Sequence, residues 1–210
     1  MRLASLLLAL SPNILIAEPI TVSVWADNWF SMSVDGTPAL EDSVPITTER
    51  SFNAETATID MDLPAQIAFT VKDFKENDTG LEYIGSRRQQ MGDGGFVAQF
   101  TNANGVVVGV TDDQVRCMVL HHAPVDVSCA KSRDPQVGQG ACASETHDAP
   151  AGWDRADFDD RTWPKATEYS TRAVRPKDGY DRIRWDRKAE LIWGPSLEQD
   201  NTLICRMTLG

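Results

Sequence analysis

From Glu18 onward, apolar and polar residues alternate over short runs: ITVSVWA, FSMSV, ATIDMDL, QIAFTV, GFVAQF, VVVGVT and CMVLHH. In an extended chain a period of two sends successive side chains to opposite faces, so each run specifies a strand with one buried face. Turn-forming residues separate them: Asp35-Gly36, Pro64, Asp78-Thr79-Gly80, Gly92-Asp93-Gly94-Gly95 and Asn104-Gly105. No segment before residue 150 shows an apolar period of 3.6. Many short strands at close spacing predict an all-β protein, an antiparallel β-sandwich or barrel, and the sandwich is the expectation taken forward.

Residues 123–156 break the pattern. They are rich in Pro, Gly, Ala, Ser and Asp and carry two cysteines. An unsupported loop of this length is uncommon in a compact domain, so the stretch reads as a long loop stapled by a disulfide. After it come DFDDRTWPKATEY, a charged stretch RPKDGYDRIRWDRK, and two further strand-like runs, AELIWG and NTLICRMTL. With no internal repeat, residues 18–210 are expected to form a single domain.

The chain opens MRLASLLLALSPNILIAEP, with Arg2 before an apolar run and the small Ala17 where cleavage would fall. Residues 1–17 therefore read as a secretory signal peptide. Its apolar run is too short for a membrane helix, which needs ~20 residues. Behind such a leader, four cysteines (Cys117, Cys129, Cys142 and Cys205) imply two disulfides with three pairings open. The Gly/Pro-rich segment between Cys129 and Cys142 favours that local pair, leaving Cys117 with Cys205. The expected location is secreted or periplasmic, with no membrane insertion once the leader is removed. A formal net charge of −11 and a pI near 4.7 argue against nucleic acid as a partner.

Familiar catalytic motifs are absent: there is no GxSxG, HExxH or GxxxxGK[ST]. His121 and His122 are adjacent, so on a strand they face opposite ways. One of them with His147 is a candidate copper or zinc pair, against the plainer reading of surface imidazoles at a strand end. DFKENDTGLE, residues 73–82, offers Asp73, Glu76, Asp78 and Glu82 as candidate calcium ligands. It fails the EF-hand pattern, with Lys75 and Ile84 where ligands belong, and a solvated hairpin turn is the simpler account. Asn77-Asp78-Thr79 is also an N-glycosylation triplet. The glycines around Asp93 precede a strand rather than a helix, which removes a phosphate cradle and suggests a turn with positive φ. No cofactor is required; a structural calcium is compatible with the acidic segment.

Six tryptophans are many for a chain of this size. Trp25 and Trp193 lie in apolar runs and are expected in the core. Trp29 and Trp185 sit among polar residues and are the candidates for exposed, sugar-stacking rings.

VWADNWFSMSVDGTPALED, residues 24–42, resembles the strand–turn–strand of galactose-binding-like jelly rolls, the accessory modules of secreted glycosidases. Asp27 and Asn28 match the acidic-polar pair, Phe30 and Met32 the inward positions, and Asp35-Gly36 the turn. DFDDRTWPKATEY resembles a second signature of the same modules, and NTLICRMTL the strand that follows it with its arginine. The motif order is permuted, because the hairpin leads here. The chain also resembles a group of secreted proteins with ADN…NG, GDGGF and FDDxxW elements. These resemblances imply a jelly-roll sandwich and carbohydrate or another cell-surface ligand as partner.

DFDDRTW, residues 157–163, could in principle supply catalytic acids. A glycosidase needs two carboxylates ~5–9 Å apart across a cleft, however, and neighbours on one turn do not supply that. The structural reading has Phe158 and Trp163 anchoring a turn whose backbone Asp159 and Asp160 cap. The expectation is thus a non-catalytic binding module with Asp27, Asn28, Trp29, Asp93 and Trp185 near the ligand. A secreted metal-binding protein and a hydrolase with an unrecognised carboxylate site are the alternatives.

Overall fold

The computed structural model describes residues 17–210. Nearly all of the expected signal peptide lies outside the described residues. In chain order the strands are β1 (Glu18–Asp27), β2 (Trp29–Val34), β3 (Thr37–Glu41), β4 (Asn53–Met61), β5 (Ala65–Lys72), β6 (Leu81–Glu82), β7 (Gln90–Met91), β8 (Gly95–Asn102), β9 (Val107–Val110), β10 (Arg116–His122), β11 (Glu145–Thr146), β12 (Thr167–Tyr169), β13 (Leu191–Trp193) and β14 (Asp200–Leu209). One α-helical turn, α1 (Thr171–Val174), interrupts them.

Two antiparallel sheets form a β-sandwich. The first runs β12-β13-β8-β1-β4, with β9 sharing the edge of β8 that β13 meets; the second runs β11-β10-β14-β5-β2-β3. The short β6 and β7 make a separate hairpin. Every alternating run named above falls in a strand. What alternation could not show are β6, β7, β11 and β12, which are only two or three residues long, and the exposed edge strand β3.

The alternation sorts side chains as the pleat demands. Ile20, Val22, Val24 and Ala26 of β1 and Phe96, Ala98 and Phe100 of β8 meet Ile67, Phe69 and Val71 of β5 and Leu203 of β14 between the sheets. Phe30 and Met32 of β2 point into the same layer. The opposite face of the first sheet is covered as well. Trp25 and Val97 pack there against Val174 and Leu191, with Tyr180 and Trp185 outside them. The charged stretch 175–188 is therefore a cover for the sheet, tied down where Trp25 donates to the Asp178 carbonyl and meets Tyr180 edge-on at 5.7 Å.

Asp35 and Gly36 join β2 to β3 with φ of 51° and 82°, the two positive values a two-residue type I′ hairpin needs. The disulfides are Cys117–Cys205 and Cys129–Cys142. The first links directly opposed residues of β10 and β14. The second closes part of the 123–156 loop, packing it on Leu81, Ile84 and Met91 around the β6–β7 hairpin. Such bonds persist in oxidising surroundings. Among the described residues, no helix is long and apolar enough to cross a membrane.

DFDDRTW is a turn clamp, with one correction. Trp163 is buried, Phe158 meets it edge-on at 5.5 Å, and Trp153 stacks on it with ring centres 6.5 Å apart. Asp159 accepts the Arg161 backbone N–H and pairs with the same guanidinium in the open. Asp160 does not cap backbone. It accepts from Nε of Arg206, a buried residue of β14.

Candidate functional site

Antiparallel pairing brings several strand ends to one end of the sandwich. Asp27 closes β1, opposite Gly95 at the start of β8, so Asp93 lies just before that start. Between β1 and β2 the chain crosses from the first sheet to the second. There the Asn28 backbone N–H donates to the Lys72 carbonyl, and Trp29 pairs with Lys72 in register. Asp73, the residue after β5, consequently arrives beside Asp27. The Asp27–Asn28 peptide is cis.

One carboxylate oxygen each from Asp27, Asp73 and Asp93 lies within 4.8 Å of the others. Asp27 and Asp73 are buried and Asp93 is partly open. Lys177, carried in by the cover segment, donates to Asp27 Oδ2 at 3.1 Å and Asp93 Oδ2 at 2.7 Å, and its ammonium lies 4.5 Å from the Phe52 ring centre. Asp27 Oδ1 and both oxygens of Asp73 have no hydrogen-bond partner.

Burial, then the neighbouring Asp93, raises Asp27 to about 8 against the pull of Lys177. Burial raises Asp73 well above the carboxylate range, reinforced by Asp27 and Asp93. Desolvation works against the Lys177 ammonium, yet Asp27 and Asp93 outweigh it and its pKa rises. Glu82 is buried nearby, accepts from Gln90 Nε2 at 2.8 Å, and is raised to about 7, chiefly by burial.

Above this cluster opens a cleft of about 480 Å³. Arg50, Arg88, Arg175 and Lys177 face Glu49, Glu82, Asp93 and Asp178 across it, with Phe52 and Tyr83 between them. Tyr83 has φ of 52°, a left-handed conformation uncommon for a bulky residue and often found where function holds it. Its hydroxyl donates to Glu49 Oε1 at 2.6 Å and accepts from Arg88, whose guanidinium also lies over the ring.

The glycines beside Asp93 work differently from expectation. Gly92, Gly94 and Gly95 do not have positive φ. They permit close approach: a Cβ on Gly92 would lie 1.8 Å from Asp73 Oδ2, and one on Gly94 would lie 2.4 Å from the Trp193 ring. Asp93 itself is not an exposed turn residue, because Lys177 holds it over the cluster.

The other expected site residues are dispersed. Asn28 is buried, accepting from the Phe74 N–H and donating to the Glu49 carbonyl. Trp29 is half-buried under the Lys72 ammonium. Trp185 is half-buried too, tilted against Tyr180 and donating to its carbonyl. Trp25 and Trp193 are core residues, as expected.

Residues 73–82 are not a solvated turn throughout, nor do their four acids converge. Asp73 and Glu82 point inward, whereas Glu76 caps the Ile84 N–H and Asp78 pairs with Lys75. His121 is no surface imidazole either. It is 7% exposed, shares a hydrogen bond with Asn201 at 2.9 Å, and burial lowers its pKa. His122 pairs with Asp200 on the other side, and His147 is exposed. Among the described residues, the one group of three His, Cys or acidic side chains close enough to hold an ion is Asp27, Asp73 and Asp93.

Sequence reasoning missed Lys177, Tyr83, Arg88 and Glu49. Lys177 sits in a charged run whose composition is that of any solvated face, and no local spacing links it to Asp27. No protein-family model, curated protein or solved structure matches this chain.

Proposed function

We propose that this protein is a secreted, non-catalytic binding module that takes a carbohydrate in the cleft over Phe52 and Tyr83. The observation that carries this reading is the balance of the cleft walls: four cations face four acids around two aromatic rings. A strongly charged ligand would meet as much repulsion as attraction there. A neutral polyhydroxylated ligand meets dense, oriented donors and acceptors beside two aromatic rings that each already carry a cation over one face, the chemistry of a small-molecule site with a few placed polar groups. The two disulfides, the acidic surface and the leader-like N-terminus support an extracytoplasmic setting. The resemblance to galactose-binding-like jelly rolls supports the same class of ligand.

Glycan arrays and polysaccharide pull-downs test it. Wild-type protein is expected to retain a subset of glycans, Tyr83→Ala and Phe52→Ala to lose them, and Trp29→Ala to bind as wild type. Blank arrays and pull-downs with folded protein would sink the reading.

A hydrolase is the second reading, favoured by one observation. Glu82, raised to about 7, lies in the cleft with Asp93, so one carboxyl is set to hold a proton near neutral pH. Release of reducing sugar from a bound glycan, abolished by Glu82→Gln, would establish it in place of simple binding.

A further inference from the structure

We infer that Asp27, Asp73 and Asp93 form a binding site for a hard divalent cation, calcium in the first instance, beneath the floor of the cleft. The assignment does not depend on what the cleft binds. Its geometry is that of ligand atoms around one ion. Oxygens each ~2.3–2.6 Å from a calcium lie within ~5 Å of one another, and one oxygen from each of these three side chains lies within 4.8 Å of the other two.

The second, independent observation is Asp73. It is 3% exposed, yet neither of its carboxylate oxygens has a hydrogen-bond partner, and Asp27 Oδ1, on a residue with no exposure, has none. Buried carboxylates are ordinarily paired, hydrogen-bonded or bound to a metal, because desolvating an unpartnered charge costs several kcal/mol. Lys177 satisfies only the Oδ2 atoms of Asp27 and Asp93. One ammonium set against three carboxylates leaves room for two further positive charges, which a divalent ion supplies.

The donor set selects the class of ion. It is all oxygen and all anionic, with no imidazole or thiolate, which suits calcium, magnesium or manganese rather than zinc or copper. Gly92 adds to the case, since any side chain there would occupy the space of Asp73 Oδ2. Asp93 is the entry side, its carboxylate 24% exposed toward the cleft. The competing occupant is the proton: two of the three carboxyls could simply stay neutral.

Calorimetric titration of the chelator-stripped protein with calcium chloride separates the two. Saturable one-to-one binding is expected, with Kd between ~10⁻⁶ and ~10⁻³ M. A hundredfold excess over Kd is expected to raise Tm by about 5–10 °C. Asp73→Asn and Asp93→Asn, each checked for folding by circular dichroism, are expected to weaken binding at least tenfold. Asp157→Asn, on an exposed acid far along the chain, is expected to bind as wild type. Because Asp93 is partly open, its variant reports on the site even if Asp73→Asn does not fold. No saturable heat with calcium, magnesium or manganese at millimolar concentration overturns the assignment, as does binding unchanged in both cluster variants. Cation binding with blank glycan arrays would leave this site standing and remove the carbohydrate reading; the converse result would do the opposite.

Discussion

Nε of Arg206 donates to Asp160 Oδ2 at 2.8 Å, tying the last strand to the DFDDRTW turn from inside the protein. Arg206 is 2% exposed and gives three of its four other donors to the carbonyls of Trp153, Arg155 and Phe158. Its Cζ also lies over the Phe158 ring, 5.2 Å from the ring centre. Five fixed donors in a planar fork are what lets one side chain gather a loop this way.

Arg206→Ala is therefore expected to unfold the 153–163 turn rather than merely remove a charge. It orphans three carbonyls and leaves a partly open carboxylate unpaired, a loss of about 3–5 kcal/mol at ~1–3 kcal/mol for each unsatisfied buried group. Asp160→Ala leaves the carbonyl bonds intact and is expected to cost about 1–3 kcal/mol. Urea unfolding of the two variants checks the order; equal costs would mean that the ion pair alone matters.

Gly92→Ala is expected to destabilise by about 1–3 kcal/mol, because its Cβ would fall 1.8 Å from Asp73 Oδ2. Asp73→Ala removes the atom it strikes. The double variant is expected to be less destabilised than the sum of the two singles, by about 0.5 kcal/mol or more. Strict additivity in thermal unfolding would show that Gly92 serves some other purpose.

In the presence of a chelator, stability is expected to fall as pH rises from about 6.5 to 8. Asp27 is raised to about 8 and Glu82 to about 7 in the folded protein, while both ionise near 4 when unfolded. Across this window the native state therefore binds more protons than the unfolded one, and the slope of stability with pH is negative. His121 acts oppositely. Its lowered pKa makes the unfolded state the better binder of one proton just below about 6.5, which offsets only part of the fall that the two raised carboxyls impose from about pH 4 upward. Asp27→Asn should flatten the fall above 6.5. A rise in Tm from pH 6.5 to 8 in wild type would contradict the raised carboxyls.

Removing Cys117–Cys205 is expected to cost more than removing Cys129–Cys142. The first closes a separation of 88 residues and the second one of 13, so the constraint on the unfolded chain is larger by about 1–2 kcal/mol. Paired Cys→Ala variants compared by urea unfolding measure the difference.

Strands and their inward faces were legible because a period of two is a local signal. Each of Val22, Val24, Phe69, Val71, Phe96 and Phe100 is placed by neighbours two residues away. The Asp35-Gly36 hairpin was legible for the same reason: both residues tolerate the positive φ the turn requires. DFDDRTW declared a turn through its own aspartates and aromatics, but Arg206, which holds Asp160, lies 46 residues further on.

Only the tertiary structure decided the candidate site. The sequence offers Asp27 and Asp93 as neighbours of a ligand and Asp73 as one of four candidate calcium ligands in a turn, but nothing local joins the three. They meet because β1 and β5 end, and β8 begins, at the same end of the sandwich, and inter-sheet packing sets that coincidence. Lys177 reaches them from 150 residues beyond Asp27, because the segment carrying it covers Trp25 on the outer face. Local sequence fixes which way a side chain points; which charges then face one another is settled by how the sheets stack.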